Sequence, residues 1–212
     1  MKAKRFRPII LAGGSGKRLW PLSTNEKPKQ FISLFGDLSL FDLTLQRVNN
    51  RYLFEKPIIV TSEKYIEFVE HSFSKTGLEV ETVFLEPDSK NTFAALTLPV
   101  LTAIKKKKFE RYMVLPSDHY IPYNKSFYES CSNIQNQFKK KALTLFGVKP
   151  TNPSTEYGYI SMSPSNDNLK IVNSFIEKPV LEKAKLLLKQ PDTLWNAGIF
   201  CFEGKWLNKS IE

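Results

Sequence analysis

Short apolar runs alternate along the chain with longer segments in which apolar residues recur at helical spacing. The runs, rich in Val, Ile and Leu, are Pro8–Leu11, Pro57–Val60, Val80–Leu85, Tyr112–Leu115 and Leu143–Val148. Such alternation is typical of parallel strands joined by helices that pack on the sheet. The pattern therefore predicts an α/β fold, with a Rossmann-like, mostly parallel sheet flanked by helices.

Helical spacing is clear after the first run, where Phe41, Leu45 and Val48 fall on one face. Ser39 precedes this segment, and Asp42 lies three residues after Ser39. At this spacing the two side chains can cap the first turn of the helix. The segments after the second and third runs carry similar apolar stripes, so each of them is also predicted to be a helix.

The pattern changes after residue 148, because prolines and a glycine break residues 150–168 into short pieces. Two more strand-like runs follow, Ile171–Ile176 and Gly198–Phe202, with a helix predicted from about Leu181 to Lys189 between them. The chain here is expected to leave the main sheet and build a smaller lobe.

The last residues, Gly204 to Glu212, resemble the first turns of a helix and contain no later Gly or Pro to end it. We therefore expect one domain over residues 1–212 that is incomplete at its C-terminus. Its core is expected to span residues 1–148, and its smaller part residues 149–212.

Composition excludes disorder as the main state, since 42% of the 212 residues are hydrophobic and 25% are charged. The 31 Lys and Arg against 21 Asp and Glu give a net charge of +10, which favours anionic partners. No apolar run approaches the roughly 20 residues of a membrane span, so we expect no membrane partner. Cys131 and Cys201 lack metal-ligand spacing and are predicted to be reduced, buried thiols in a cytoplasmic protein.

A glycine-rich segment, Leu11–Phe31, directly follows the first predicted strand and carries several cations. Glycines let backbone N–H groups turn toward a phosphate, and an Arg or Lys beside them can neutralise its charge. A dinucleotide fingerprint is excluded because Leu19 stands at its third glycine. A Walker loop is excluded because Gly16-Lys17 is followed by Arg18 rather than Ser or Thr.

The segment resembles the signature of the sugar-nucleotide pyrophosphorylases, Gly-x-Gly-x-Arg-Leu-x-Pro-Leu followed by Pro-Lys. Trp20 before Pro21, and Gln30-Phe31 after Lys29, are similar to its mannose-1-phosphate guanylyltransferase branch. Further blocks similar to that family follow in the family's order, at Leu85–Thr92, Val114–His119, Phe146–Pro153, Tyr157–Ile160, Phe175–Pro179 and Trp195–Phe200.

The resemblance implies the nucleotide-diphospho-sugar transferase fold and transfer of a nucleotidyl group from GTP to mannose-1-phosphate, which gives GDP-mannose and pyrophosphate. It implies that Arg18 stabilises the departing pyrophosphate and that Lys29 bridges the reacting phosphates. Residues implied to bind the nucleotide are Ala12, Gly13, Gly14, Ser15, Gly16, Glu86, Asn91, Pro116 and Ser117. The sequence does not decide the oligomeric state, and a homo-oligomer stays open.

Asp118 follows a predicted parallel strand and a Pro-Ser step, which places a carboxylate at the edge where open α/β sheets bind ligands. Mg²⁺ commonly takes one or two carboxylates together with substrate phosphates. Asp118 is thus the predicted catalytic metal ligand, with Mg²⁺ as cofactor, and the resemblance implies the same role. His119 is expected to be a hydrogen-bond partner of this carboxylate rather than a ligand.

Guanine presents N–H donors, which call for an acceptor such as the Glu86 carboxylate. Asn91 is a mixed donor and acceptor, and its alternative role is to cap the following helix. For the sugar, the resemblance assigns hydroxyl binding to Glu177 and phosphate binding to Lys178, and it adds Gly158 and Asn196; a surface ion pair is the alternative for Glu177 and Lys178.

The sequence departs from the family in three ways. Lys17 replaces a usual Thr, while Ser154 and Glu156 replace an acid and a glycine in the block that leads into Tyr157. If that glycine needs a positive φ, Glu156 would be strained. The family also carries a second metal-binding Asp beyond the Trp195–Phe200 block, where this sequence ends.

Two alternatives to GDP-mannose synthesis stay open: a related sugar-1-phosphate nucleotidyltransferase with another base or sugar, and an inactive fragment that binds nucleotide. A nucleic-acid partner is not expected, because only the net charge and two lysine runs favour it.

Overall fold

The computed structural model of the chain describes residues 4–14, 19–34, 36–86, 92–105, 110–122, 124–139, 141–165 and 167–209. The chain forms two compact units. Unit 1 comprises residues 1–142 together with 201–212, and unit 2 comprises residues 143–200.

Unit 1 contains a parallel sheet. Its strands are β1 (Phe6–Leu11), β2 (Ile58–Ser62), β3 (Thr82–Glu86) and β4 (Arg111–Pro116), in the order β3-β2-β1-β4. All three pairings are parallel, and Ile9 lies opposite Ile58 on one side and Val114 on the other. The predicted parallel α/β arrangement is confirmed.

Three helices join these strands: α1 (Leu40–Val48), α2 (Ile66–Thr76) and α3 (Thr92–Lys105). Helix α4 (Asn124–Gln137) follows β4, and α6 (Gly204–Lys209) follows the last strand of the chain. The predicted capping box of α1 is confirmed, since the Asp42 amide donates to Ser39 Oγ and the Ser39 amide donates to Asp42 Oδ2, at 3.1 and 2.9 Å. Helix α4 was not predicted, because its apolar stripe consists of only Phe127, Cys131 and Ile134 in an otherwise polar segment.

A buried arginine ties the amino-terminal ends of the strands together. Arg7 on β1 makes a bidentate contact with the Glu110 carboxylate, at 2.8 and 2.9 Å, and a third with Glu81 at 3.0 Å. It also donates to the carbonyl oxygen of Lys56 at 2.7 Å. Because Lys56, Glu81 and Glu110 precede β2, β3 and β4, one guanidinium on β1 links the starts of all four strands.

Unit 2 is antiparallel. It contains β5 (Thr144–Val148), β6 (Tyr159–Met162), β7 (Val172–Ile176), helix α5 (Leu181–Leu188) and the first part of β8 (Thr193–Glu203). Strand β6 lies between β7 and β8, and β5 also pairs with β8. Strand β8 begins five residues before the predicted run, and β6 was not predicted because it is only four residues long.

Both cysteines are buried free thiols, as predicted. Burial raises the pKa of Cys131 to about 12 and the pKa of Cys201 well above its ordinary value. Within the described ranges, none of the helices combines the length and the apolar character that crossing a membrane requires.

Candidate active site

The ends of β1 and β4 bring two predicted segments side by side. Leu11 and Pro116 are partners in the parallel register, and the amide of Ser117 donates to the Leu11 carbonyl at 3.1 Å. The glycine-rich segment therefore begins next to the segment that carries Asp118. This is the carboxyl-terminal edge of the sheet, where open α/β proteins bind their ligands.

Lys29 and Asp118 meet at this edge, although 89 residues separate them in the chain. Lys29 Nζ lies 3.4 Å from Asp118 Oδ2, and the two side chains are 28% and 42% exposed. Lys29 opens a short 3-10 helix, Lys29–Phe31, that follows Pro28. The structure thus places a cation and a carboxylate together, both accessible to a ligand.

Gln30 holds the start of the glycine-rich segment in place, a role that sequence reasoning missed. Its buried side-chain amide donates to the carbonyl oxygens of Ala12 and Gly14, at 3.2 and 2.8 Å. Thr61 Oγ1 donates to the same Ala12 carbonyl at 3.1 Å. With these carbonyls occupied, the backbone after β1 is fixed. The only signal was the position of Gln30 directly after Lys29.

His119 lies beside Asp118, but its Nε2 is 3.9 Å from Oδ1, so the expected hydrogen bond to this carboxylate is not formed. Burial lowers the pKa of His119, and the nearby charges of Lys29 and Arg47 lower it further, while Asp118 opposes them. The imidazole is therefore neutral at pH 7. A neutral imidazole leaves the negative charge of Asp118 available to a cation.

The described residues contain no group of three or more His, Cys, Asp or Glu side chains that could hold a metal by themselves. Asp118 offers one accessible carboxylate, 42% exposed, beside Lys29. This donor set fits Mg²⁺, which keeps several waters and completes its shell with substrate phosphate oxygens.

Glu86 ends β3 at the same edge of the sheet, opposite Ser62 of β2 in the register. Burial raises the pKa of its carboxyl group. Four other predicted nucleotide-site residues, Ser15, Gly16, Arg18 and Asn91, lie outside the described residues, as does Lys17.

In unit 2 the predicted sugar residues come together around Gly158. A Cβ added to Gly158 would lie 2.7 Å from Glu177 Oε2 and 2.9 Å from the Phe175 ring. The Gly158 carbonyl accepts a hydrogen bond from the Asn196 amide at 2.8 Å, and Asn196 Oδ1 in turn accepts from the Gly198 amide at 3.1 Å. The Glu177 carboxylate therefore occupies space that a side chain at position 158 would make it leave.

Lys178 adopts a φ of +41°, and no other non-glycine residue in the described part of the chain has a positive φ. Such a backbone costs on the order of 1–3 kcal/mol. Its Nζ lies 4.0 Å from Glu177 Oε1, and the two side chains are 52% and 59% exposed. The pair is therefore a loose, solvated contact that a ligand can separate at little cost.

The departures at Ser154 and Glu156 are accommodated within a turn. Ser154 Oγ accepts from the Glu156 amide at 3.1 Å, and the Ser154 carbonyl accepts from the Tyr159 hydroxyl at 2.9 Å. Glu156 is exposed and has no positive φ, so the strain considered for it is not present. Trp195 packs against Tyr157 nearby, with ring centroids 5.0 Å apart.

Comparison with known proteins places this geometry in a family. The family model "Nucleotidyl transferase" matches residues 7–212. A mannose-1-phosphate guanylyltransferase from Sinorhizobium fredii is 34% identical over 207 residues, which are 97% of this chain and 40% of that protein. The alginate biosynthesis protein AlgA of Pseudomonas aeruginosa is 33% identical over 198 residues, 92% of this chain and 41% of that protein.

Among solved structures, one described as the mannose-1-phosphate geranyltransferase from Thermus thermophilus is 29% identical, with a TM-score of 0.85. The match covers 99% of this chain and 59% of that one. The chain spans about two fifths of the length of the two curated relatives. Because the family model covers nearly the whole sequence, the chain belongs to the nucleotidyl transferase family.

Proposed function

We propose that this chain carries the site for guanylyl transfer from GTP to mannose-1-phosphate, which yields GDP-mannose and pyrophosphate. The observation that carries this proposal is the meeting of Lys29 and Asp118 beside the start of the glycine-rich segment, at 3.4 Å. A phosphate-binding cation and a metal-type carboxylate are thereby combined at one edge of a parallel sheet. Guanine and mannose are favoured by the names of the relatives in Sinorhizobium fredii and other bacteria.

In this reaction an oxygen of the sugar phosphate attacks the α-phosphorus of the triphosphate and displaces pyrophosphate. Two anions must approach each other, so positioning and charge neutralisation supply most of the catalysis. Lys29 would neutralise the reacting phosphates, and the backbone N–H groups of Gly13 and Gly14, by resemblance to the family motif, would contribute further donors. Arg18, by its resemblance to the family motif, would stabilise the pyrophosphate.

Asp118 would hold Mg²⁺, whose charge offsets the negative charge of the phosphates. Neutral His119, 3.9 Å from the carboxylate, adds no positive charge that would compete with the metal. Lys29 would then exchange its contact with Asp118 for one with a phosphate. The exchange is cheap because the ion pair is partly exposed.

Residues of unit 2 would bind the sugar phosphate. The Glu177 carboxylate can accept hydrogen bonds from two neighbouring hydroxyls, and the Lys178 ammonium can pair with the phosphate. Asn196 and Gly158, joined by a backbone hydrogen bond of 2.8 Å, would line the same sugar-phosphate site. Glu86 is proposed as the acceptor for the guanine N–H groups, and Asn91, by its resemblance to the family motif, as a second base-binding residue. The buried free thiols favour a reducing compartment, and we place the reaction in the cytoplasm.

The test is release of pyrophosphate by the purified chain with Mg²⁺, using GTP, ATP, UTP and dTTP in turn, each with mannose-1-phosphate or glucose-1-phosphate. Release that is greatest with GTP and mannose-1-phosphate, and that is lost in Asp118→Asn, is the expected result. Greater release with another pair would reassign the substrates. A rise in melting temperature with GTP but no pyrophosphate from any pair would contradict transfer and leave a nucleotide-binding chain.

A further inference from the structure

Arg47 carries a fully buried guanidinium. It lies on α1, is 2% exposed, and donates to Asn124 Oδ1 and Thr44 Oγ1, both at 3.2 Å. Its remaining close neighbour is the Phe127 ring, whose centroid lies 6.0 Å from Cζ. Burial lowers the pKa of Arg47 to about 10, so the group still carries its charge at neutral pH. No carboxylate of the described residues forms an ion pair with it. A buried charge whose described contacts are all with neutral groups is costly, and packing alone would be better satisfied by an apolar side chain.

The two ends of α1 contact the two segments that carry Lys29 and Asp118. Near its start, the Phe41 ring packs edge-on against Phe31 at 5.4 Å, and Phe31 is the last residue of the 3-10 helix that Lys29 opens. Near its end, Arg47 bonds Asn124, which lies six residues after Asp118 and begins α4. Helix α1 therefore connects the segment that carries Lys29 with the start of α4, the helix that follows Asp118.

The attachment to α4 involves one face of that helix. Besides the Asn124 contact, the Tyr128 hydroxyl donates to the Arg47 carbonyl at 3.0 Å, and Phe127 lies under the guanidinium. Residues 124, 127 and 128 are spaced by three and four, so they lie on the same side of α4. This face fixes where α4 starts, and hence where the short loop from Asp118 must end.

We propose that Arg47 is a positioning residue that holds the Asp118 loop, through Asn124, at the distance at which Asp118 meets Lys29. Its relevance to catalysis rests on the proposed function, whereas its effect on the Lys29–Asp118 contact does not. The planar guanidinium reaches two acceptors on different elements at once, which the single ammonium of a lysine does not reproduce. Arg47→Lys is therefore expected to restore little.

The decisive experiment needs no substrate. The purified chain is treated with a trace of acetic anhydride, and mass spectrometry gives the ratio of Lys29 to Lys27 acetylation, with exposed Lys27 as the internal reference. Arg47→Met keeps an unbranched side chain for packing on Phe127 and removes both hydrogen bonds. The ratio is expected to rise about threefold in Arg47→Met, the size expected when a partly exposed ion pair is lost. Asn124→Ala should give the same rise and replaces Arg47→Met if that variant does not fold.

Val48→Ala is the matched control, because Val48 is the next residue of α1 and is 3% exposed. It should lower the free energy of unfolding without changing the labelling ratio. A labelling ratio that stays unchanged in Arg47→Met and Asn124→Ala would overturn the proposal. A rise of the same size in all three variants, Val48→Ala included, would also overturn it. Where pyrophosphate release is observed, Arg47→Met should lower kcat by about tenfold to a hundredfold, the usual cost of a displaced reacting group, with a smaller change in the KM for GTP. Absence of release in the unmodified chain would refute the proposed function and leave the labelling ratio to decide on Arg47.

Discussion

Gly158→Ala should weaken binding of the sugar phosphate specifically. The new Cβ would lie 2.7 Å from Glu177 Oε2, so the carboxylate must move by about 0.7 Å to reach an ordinary contact of 3.4 Å. The Phe175 ring atom at 2.9 Å must give way as well. Both neighbours are exposed side chains that can move, so we expect the fold to tolerate the change while the position of the Glu177 carboxylate is lost.

The magnitude follows from the hydrogen bonds that Glu177 is proposed to make. A hydrogen bond to a charged acceptor is worth about 1.5–3 kcal/mol. Since each 1.4 kcal/mol is tenfold in affinity, losing one such bond should raise the KM for mannose-1-phosphate by about 10- to 150-fold. The KM for GTP should stay within about twofold, because on this scale no hydrogen bond to the nucleotide is lost.

The assay is the initial rate of pyrophosphate release, with mannose-1-phosphate varied at saturating GTP and then the reverse. Gly77→Ala serves as the control, because Gly77 ends α2 with a φ of +64° and has no atom within 4 Å of the added Cβ. This control should cost about 1 kcal/mol of stability through backbone strain and leave both KM values unchanged. An unaltered KM for mannose-1-phosphate in Gly158→Ala would refute the role given to Glu177.

Three further outcomes are expected. Lys29→Met should lower kcat by about 10²–10³-fold, as expected for one lost preorganised donor, whereas Lys27→Met should leave it unchanged; equal rates in both variants would contradict the role of Lys29. Arg7→Met should lower the free energy of unfolding in urea by about 2 kcal/mol, less than a fully buried pair would cost because its two acidic partners are partly exposed; an unchanged urea midpoint would argue against it. The pKa of Cys131, raised by burial from 9.0 to about 12, makes its contribution to stability complete below pH 9 and progressively lost above it, because the unfolded thiol releases its proton first. Between pH 9 and 11 the free energy of unfolding of Cys131→Ala should therefore fall less steeply with pH than that of the unmodified chain. An identical pH profile of the two proteins would contradict this.

Local pattern and chemistry are enough to indicate several elements of this fold. Continuous Val, Ile and Leu runs indicated buried parallel strands, and the Ser39 and Asp42 spacing indicated the start of α1; both are found. The position of Asp118 after a strand also follows from sequence, since every parallel strand ends at the same edge of its sheet. The short strand β6 and the polar helix α4 were missed, because β6 has only four residues and the three apolar residues of α4 stand in an otherwise polar segment.

Contacts between residues far apart in the chain arise from the packing of the folded protein. The 3.4 Å contact of Lys29 with Asp118, the hold of Gln30 on the Ala12 and Gly14 carbonyls and the link from Arg47 to Asn124 join separate elements. Hydrophobic periodicity reports which face of an element is buried, but it does not report which polar group meets it there. That choice depends on how the helices pack on the sheet, so it becomes visible only once the chain is folded.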